Sequence, residues 1–243
     1  MNAIEIKALT KRFQDTTAVN ALELTVKQGE LFSLLGVNGA GKTTTIRMLC
    51  GLLAPTGGDA LVMGKSIVHE TAAVKTVIGV SPQETAVGMH LTVRENLMLM
   101  AGLYGFDKAQ CQEKTDAMLR RLHLADAADK RAKTLSGGWM RRLSIAMALI
   151  SDPEILFLDE PTLGLDVLIR RELWQVIREL KTKSTVILTT HYLEEAEALS
   201  DRIGIMAHGR LTALGTAEAL KKQAGASSFE DAFIALAGEG GLQ

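Results

Sequence analysis

A chain of 243 residues, 47% hydrophobic and 23% charged with a formal net charge of -1, has room for one large core, or for a core with an inserted subdomain. The near-neutral balance argues against a dedicated nucleic-acid binder. No apolar run reaches the ~18 residues of a membrane span, and the first stretch, MNAIEIKALTKRF, lacks the apolar centre of a secretory leader. Two cysteines, Cys50 and Cys111, make neither a disulfide framework nor a metal cluster and read as small buried hydrophobes in a reducing cytosol.

In chain order, Ile4 and Ile6 and then Leu22, Leu24 and Val26 alternate as half-buried strands do, with Gly29 at a turn. The apolar run 31–35 predicts a buried strand, followed by glycines and a helix over 42–52. Gly57-Gly58 and Gly64 punctuate a hairpin around 60–63, and 77–80 reads as a further buried strand. From Thr92 to about residue 150 the pattern is helical, opened by the capping box Thr92-x-x-Glu95. Then come a strand at 155–158, a helix at 168–180, a strand at 185–188 and a helix at 193–199. Strands separated by helices imply an α/β fold with a parallel sheet, whose ligands sit beyond the carboxyl ends of the strands. The Gly-rich end, 238–241, reads as a frayed tail.

The first site signal is Gly36-Val37-Asn38-Gly39-Ala40-Gly41-Lys42-Thr43, a full G-x-x-x-x-G-K-[ST] between a strand and a helix. Glycines there let successive N–H groups and the helix N-terminus point at phosphates. Lys42 reaches the β- and γ-phosphates and the Thr43 hydroxyl suits Mg²⁺. The second signal is Ile155-Leu156-Phe157-Leu158-Asp159-Glu160: a buried strand that delivers two carboxylates to its carboxyl end. Asp159 is suited to holding Mg²⁺ through water, and Glu160 to taking a proton from an attacking water, which favours hydrolysis over transfer to an acceptor.

With LSGG at 135–138 between these two motifs, Gln83 in SPQE, PTLGLD ending at Asp166, and His191 in TTHYLEEAEALSDRIGIM, nearly the whole chain resembles the ATP-binding subunit of an ABC transporter. LTVRENL, LYG and FEDAFIALAG resemble its export-type branch, whose members serve drug, polysaccharide or lipid permeases. The resemblance implies a P-loop NTPase, RecA-like core with an N-terminal antiparallel β subdomain and an inserted helical subdomain at about 85–150. Residues 1–225 would form this nucleotide-binding domain, and 226–243 a short helix and flexible tail. It also implies ATP and Mg²⁺ as ligands, and two subunits that close head to tail around two ATP. Lys42, Thr43 and Thr44 of one subunit would hold phosphates and Mg²⁺, while Ser136, Gly137 and Gly138 of the other are offered to the same nucleotide. Gln83 would touch Mg²⁺ or the attacking water, His191 the γ-phosphate, and Asp166 would communicate across the dimer. Phe13 either stacks on adenine or belongs to the core, and the Ser136 turn by itself reads equally as a plain helix cap.

The chain is expected to be cytoplasmic, peripheral on the inner face of the membrane, and to drive a separate permease, with no nucleic acid expected. The run Met89, Leu97, Met98, Leu99 and Met100 lies where family members receive the permease, or is ordinary core. The alternative is a stand-alone ATPase of the same superfamily that remodels nucleic acid or ribosomes. Trp139 stands where the family most often has Gln. At 100° per residue it begins an apolar stripe with Met140, Leu143, Ala146, Met147 and Ile150, so it is expected to pack and not to ligate phosphate.

Overall fold

Alternating apolar residues draw the first elements into one twisted sheet. In a computed structural model, which describes residues 1–238, β1 (Asn2–Phe13) pairs antiparallel with β2 (Thr16–Lys27). Its other edge takes β4 (Gly57–Val62), followed by β5 (Lys65–Ser66), in the order β2-β1-β4-β5. Ile4, Ile6, Leu22, Leu24 and Val26 all point inward, as their spacing predicts.

The second sheet has the order β10-β9-β3-β8-β7-β6. It is built from β3 (Leu31–Leu35), β6 (Ile78–Ser81), β7 (Ile155–Asp159), β8 (Thr185–Thr190), β9 (Arg202–Ala207) and β10 (Arg210–Gly215). All neighbours are parallel except β9 and β10. Every residue of β7 is buried because both faces are covered: Leu156 and Leu158 join one hydrophobic cluster, Ile155 and Phe157 the other. The first cluster contains the helical segment, the second the antiparallel sheet with α1 (Lys42–Leu49) and α2 (Thr71–Val77).

The helical stretch resolves into α3 (Val93–Leu103), α4 (Lys108–Arg121) and α5 (Gly137–Leu149). The expected capping box is present in full: Glu95 N–H donates to Thr92 Oγ1 at 3.1 Å and Thr92 N–H to Glu95 Oε2 at 2.7 Å. Leu143, Ala146, Met147 and Ile150 are buried, with Met140 and Trp139 half-buried against the same cluster. Trp139 therefore packs within its own chain. After β7 come α6 (Val167–Leu180) and α7 (Leu193–Leu199); after β10 come α8 (Ala217–Ala224) and α9 (Phe229–Gly238). Of the tail expected at 238–241, Gly238 is the last residue of α9 and the rest lies outside the described residues. Among the described residues no helix is long and apolar enough to cross a membrane.

Three local expectations shift. The helix expected over 42–52 stops at Leu49, because Gly51 turns left-handed at φ 63°. The strand expected at 77–80 starts one residue later, since α2 runs through Val77. The antiparallel pair β9–β10, joined by a tight turn at His208 and Gly209 with φ 48° and 76°, escaped the sequence reading altogether.

Candidate functional site

Parallel β3, β6, β7 and β8 end on one edge of the sheet, and the residues that follow them converge there. The loop after β3 wraps a cleft of about 450 Å³ lined by Asn38, Gly39, Ala40, Gly41, Lys42, Thr43 and Thr44, with Gln83, Glu160 and His191 opposite. Gly41 takes φ 104°, and a Cβ there would lie 2.4 Å from the Ala18 carbonyl oxygen. Only glycine closes the loop into the first turn of α1 at this point. Gly36 sits at the end of β3 against the Met206 carbonyl, outside the cleft lining.

Lys42 is buried, and its ammonium donates to the carbonyls of Gly36 at 2.7 Å and Val37 at 3.3 Å, with Glu160 Oε1 at 3.4 Å. The other carboxylate oxygen, Oε2, lies 2.7 Å from His191 Nδ1. Glu160 itself has φ 50°, the left-handed region that costs a non-glycine of order 1–3 kcal/mol. Its N–H donates to the carbonyl and Oγ1 of Thr189, both at 3.1 Å, so β8 holds it there. The turn swings the carboxylate off the line of β7 and onto Lys42 and His191.

Asp159 stays in line with β7. Its Oδ1 accepts from Thr43 Oγ1 at 3.2 Å and from Thr189 Oγ1 at 2.5 Å. A hydroxyl and a carboxylate meeting beside the phosphate loop are hard oxygen donors of the kind Mg²⁺ takes. Gln83 is exposed on the cleft wall.

The remaining expected residues lie elsewhere. Phe13 is exposed at the end of β1 with Lys11 Nζ 5.1 Å from its ring centroid, and is not among the cleft residues. Asp166 caps α6, accepting from the N–H groups of Leu168 and Ile169, each at 3.0 Å. Ser136 holds the N-cap position of α5, as the cap reading expects, but its side chain makes no cap bond. Ser136 and Gly137 are exposed and away from the cleft.

Gly138 is buried instead. A Cβ there would lie 2.5 Å from Ile169 Cγ2, so the second glycine lets α5 start directly against α6. Gly138→Ala is expected to cost about 1–3 kcal/mol by overpacking. Urea unfolding should show that loss, and Ile169→Ala in the same chain should recover part of it. An unchanged midpoint for Gly138→Ala contradicts the contact.

Two polar residues near the site were given no role by the sequence. Arg141 on α5 and Glu195 on α7 are both buried. Burial pushes the Glu195 carboxyl above the usual carboxylate range, and its Oε1 accepts from Trp174 Nε1 at 3.0 Å, which ties α7 to α6.

Residues 19–163 match the family described as ABC transporter, and 132–195 match a second one described as AAA domain, putative AbiEii toxin, Type IV TA system. The daunorubicin/doxorubicin resistance ATP-binding protein DrrA of Streptomyces peucetius is 44% identical over 93% of this chain and 68% of its own length. The probable multidrug ABC transporter ATP-binding protein YbhF of Escherichia coli (strain K12) is 42% identical over 96% of this chain but 41% of its own. The human phospholipid-transporting ATPase ABCA3 is 42% identical over 92% of this chain, which spans 13% of that protein. Among solved structures, the ATP binding subunit of an ABC transporter superposes with a TM-score of 0.85 at 29% identity, covering 96% of this chain and 99% of that one. The cbiO1 protein from Clostridium perfringens, part of the ABC transporter complex cbiONQ, does so with 0.83 at 26%, covering 91% and 92%.

Proposed function

The chain belongs to the family of ABC transporter ATP-binding subunits, and from that premise we propose that it hydrolyses ATP at the Lys42–Glu160–His191 cleft to drive export through a separate permease. The observation that carries this reading is the Glu160 carboxylate, which turns out of β7 in a left-handed conformation and is shared between a buried lysine and a histidine.

In this mechanism the loop 36–41 and the first turn of α1 bind the phosphates through backbone N–H groups, and Lys42 adds a charge toward the β- and γ-phosphates. Glu160 accepts the proton of the attacking water on its carboxylate. His191 orients that carboxylate through Nδ1, and its ring reaches the γ-phosphate. Gln83 orients the water from the opposite wall. Thr43 and Asp159, with Gln83, would hold Mg²⁺, which supplies neutralising charge to the phosphates when bound. Asp166 and the exposed Ser136–Gly137 turn are the parts offered to a second copy, so that each ATP lies between the cleft of one chain and the turn of the other. The free Ser136 hydroxyl supports this, because a cap already satisfied within its own helix has less to offer.

A permease partner is supported by an apolar groove of about 460 Å³ between β6 and the helical segment, lined by Leu52, Ile78, Val80, Met100, Tyr104 and Met147. Leu99 and Leu103 are also exposed on α3, and Leu97, by contrast, is core. An apolar helix of a membrane protein suits such a groove. Leu52→Glu, at an exposed residue of the groove wall, is expected to leave ATP hydrolysis by the purified chain unchanged within about twofold, since a surface change away from the site shifts little, and to abolish copurification with membranes of the source cell. Retained copurification contradicts the assignment of the groove, and recovery of the unaltered chain with RNA and no membrane protein favours a remodelling ATPase.

A further inference from the structure

A buried arginine usually faces a carboxylate. Arg141 feels the buried carboxylates of Asp159 and Glu195, yet it spends its guanidinium hydrogen bonds on backbone carbonyls: Nη1 donates to Pro82 O at 2.7 Å, and Nη2 to Gln83 O at 3.0 Å and to Glu160 O at 3.4 Å. Those carbonyls belong to the two loops that carry the proposed water-orienting and proton-accepting side chains. We propose that Arg141 is a positioning residue, which clamps the Gln83 and Glu160 loops together and fixes both to the helix that begins at the Ser136–Gly137 turn.

Three contacts along α5 make this a continuous seam. Gly79 of β6 lies against the Ala148 carbonyl, where a Cβ would be 2.1 Å away. One helical turn earlier, Ser144 Oγ and Ser81 Oγ form a buried hydrogen bond of 2.8 Å. One turn earlier again, Arg141 takes the next two carbonyls, of Pro82 and Gln83. The segment from 79 to 83 thus follows α5 rung by rung, and the Gln83 side chain is left free on the cleft wall.

On the Glu160 side the clamp meets the strained residue. Thr189 fixes its N–H, while its carbonyl accepts from Leu163 N–H at 3.2 Å and from Arg141. A left-handed glutamate persists when its surroundings over-determine it, and Arg141 supplies one of those restraints from another element. The planar fork of arginine suits this task, because two N–H vectors in fixed relation set the spacing between two carbonyl groups; lysine carries the charge without that geometry.

The consequence rests on the two-copy ATP site proposed above. The turn at Ser136 faces the nucleotide of the second copy, whereas Gln83 and Glu160 serve the nucleotide of their own. Arg141 lies five residues along α5 from Ser136, about 7.5 Å at 1.5 Å per residue. It therefore joins the half-site given away to the full site kept.

The test compares the unaltered chain with Arg141→Lys and Arg141→Met, measuring kcat, KM and the Kd for a fluorescent ATP analogue, with hydrogen exchange at residues 82–86 and 160–163. Both variants are expected to lower kcat by roughly 10- to 100-fold, as misplaced reacting groups do, with the Kd changed by less than about threefold because no phosphate contact is touched. Arg141→Lys is expected to retain more of kcat than Arg141→Met. Exchange in the two loops should quicken roughly tenfold on loss of a charged hydrogen bond, while that of 144–149 stays unchanged. An Arg141→Met that folds and keeps its kcat overturns the proposal, as does an Arg141→Lys whose loops exchange at the unaltered rate. If the unaltered chain binds but does not hydrolyse ATP, the parent reading fails and this one falls with it, which separates the two failures.

Discussion

Glu160→Gln is expected to slow ATP hydrolysis by about 10²- to 10⁴-fold, the usual worth of a positioned base, with ATP still bound. The amide keeps the shape of the carboxylate and can still meet His191 and Lys42, but it cannot accept a proton. Loss of rate without loss of binding is therefore the signature to look for, in steady-state turnover beside a nucleotide Kd. A variant that hydrolyses within a few-fold of the unaltered rate removes Glu160 from the chemistry. A variant that loses binding instead shows that its charge was needed to place Lys42, which lies 3.4 Å away.

The second large effect is expected at Lys42. Lys42→Ala removes the buried ammonium that bridges the loop carbonyls and Glu160. A charged hydrogen bond is worth about 1.5–3 kcal/mol net, so the Kd for ATP should rise roughly 10- to 150-fold and turnover should fall with it. The fold has reason to survive: Glu160 keeps His191 at 2.7 Å, and the loop is held independently by the close packing at Gly41. Equal melting temperatures and an unchanged Kd would together contradict the phosphate role of Lys42. A collapsed melting temperature would assign it to stability.

What the sequence made legible follows from how local each signal is. The phosphate loop could be read because its glycines, lysine and threonine are consecutive and lie between a strand and a helix that announce themselves by apolar runs. Asp159 and Glu160 could be read for the same reason, directly after four consecutive apolar residues, 155–158. Sequence could not foresee that Glu160 turns left-handed while its neighbour does not, because that difference is imposed by Thr189, 29 residues away on another strand. Nor could it separate Arg141 from Arg142. On paper they are one basic pair on a helix, but α5 turns the first into the loops at 82–83 and 160 and the second outward, to Glu172 at 2.6 Å.

The glycines of LSGG divide in the same way. Their spacing suggests a single bare turn for close approach, yet Gly137 is open and Gly138 is covered by Ile169, a contact set by how α5 meets α6. β9 and β10 were missed because six-residue strands around His208-Gly209 offer little periodicity, and the burial of β9 comes from its place beside β3. Trp139 went the other way: helical spacing alone located its stripe, since packing along one helix face is a local property.

The two-copy site is the claim on which the mechanism turns, and the mass of the Glu160→Gln chain in solution tests it most directly. With ATP and Mg²⁺ the account predicts twice the mass of one chain by sedimentation, and the mass of one chain without nucleotide. Ser136→Glu added to the same chain should bind ATP in its own cleft and stay at the mass of one. A Glu160→Gln chain that remains single when saturated with ATP, or one that pairs equally well with glutamate at position 136, would contradict it.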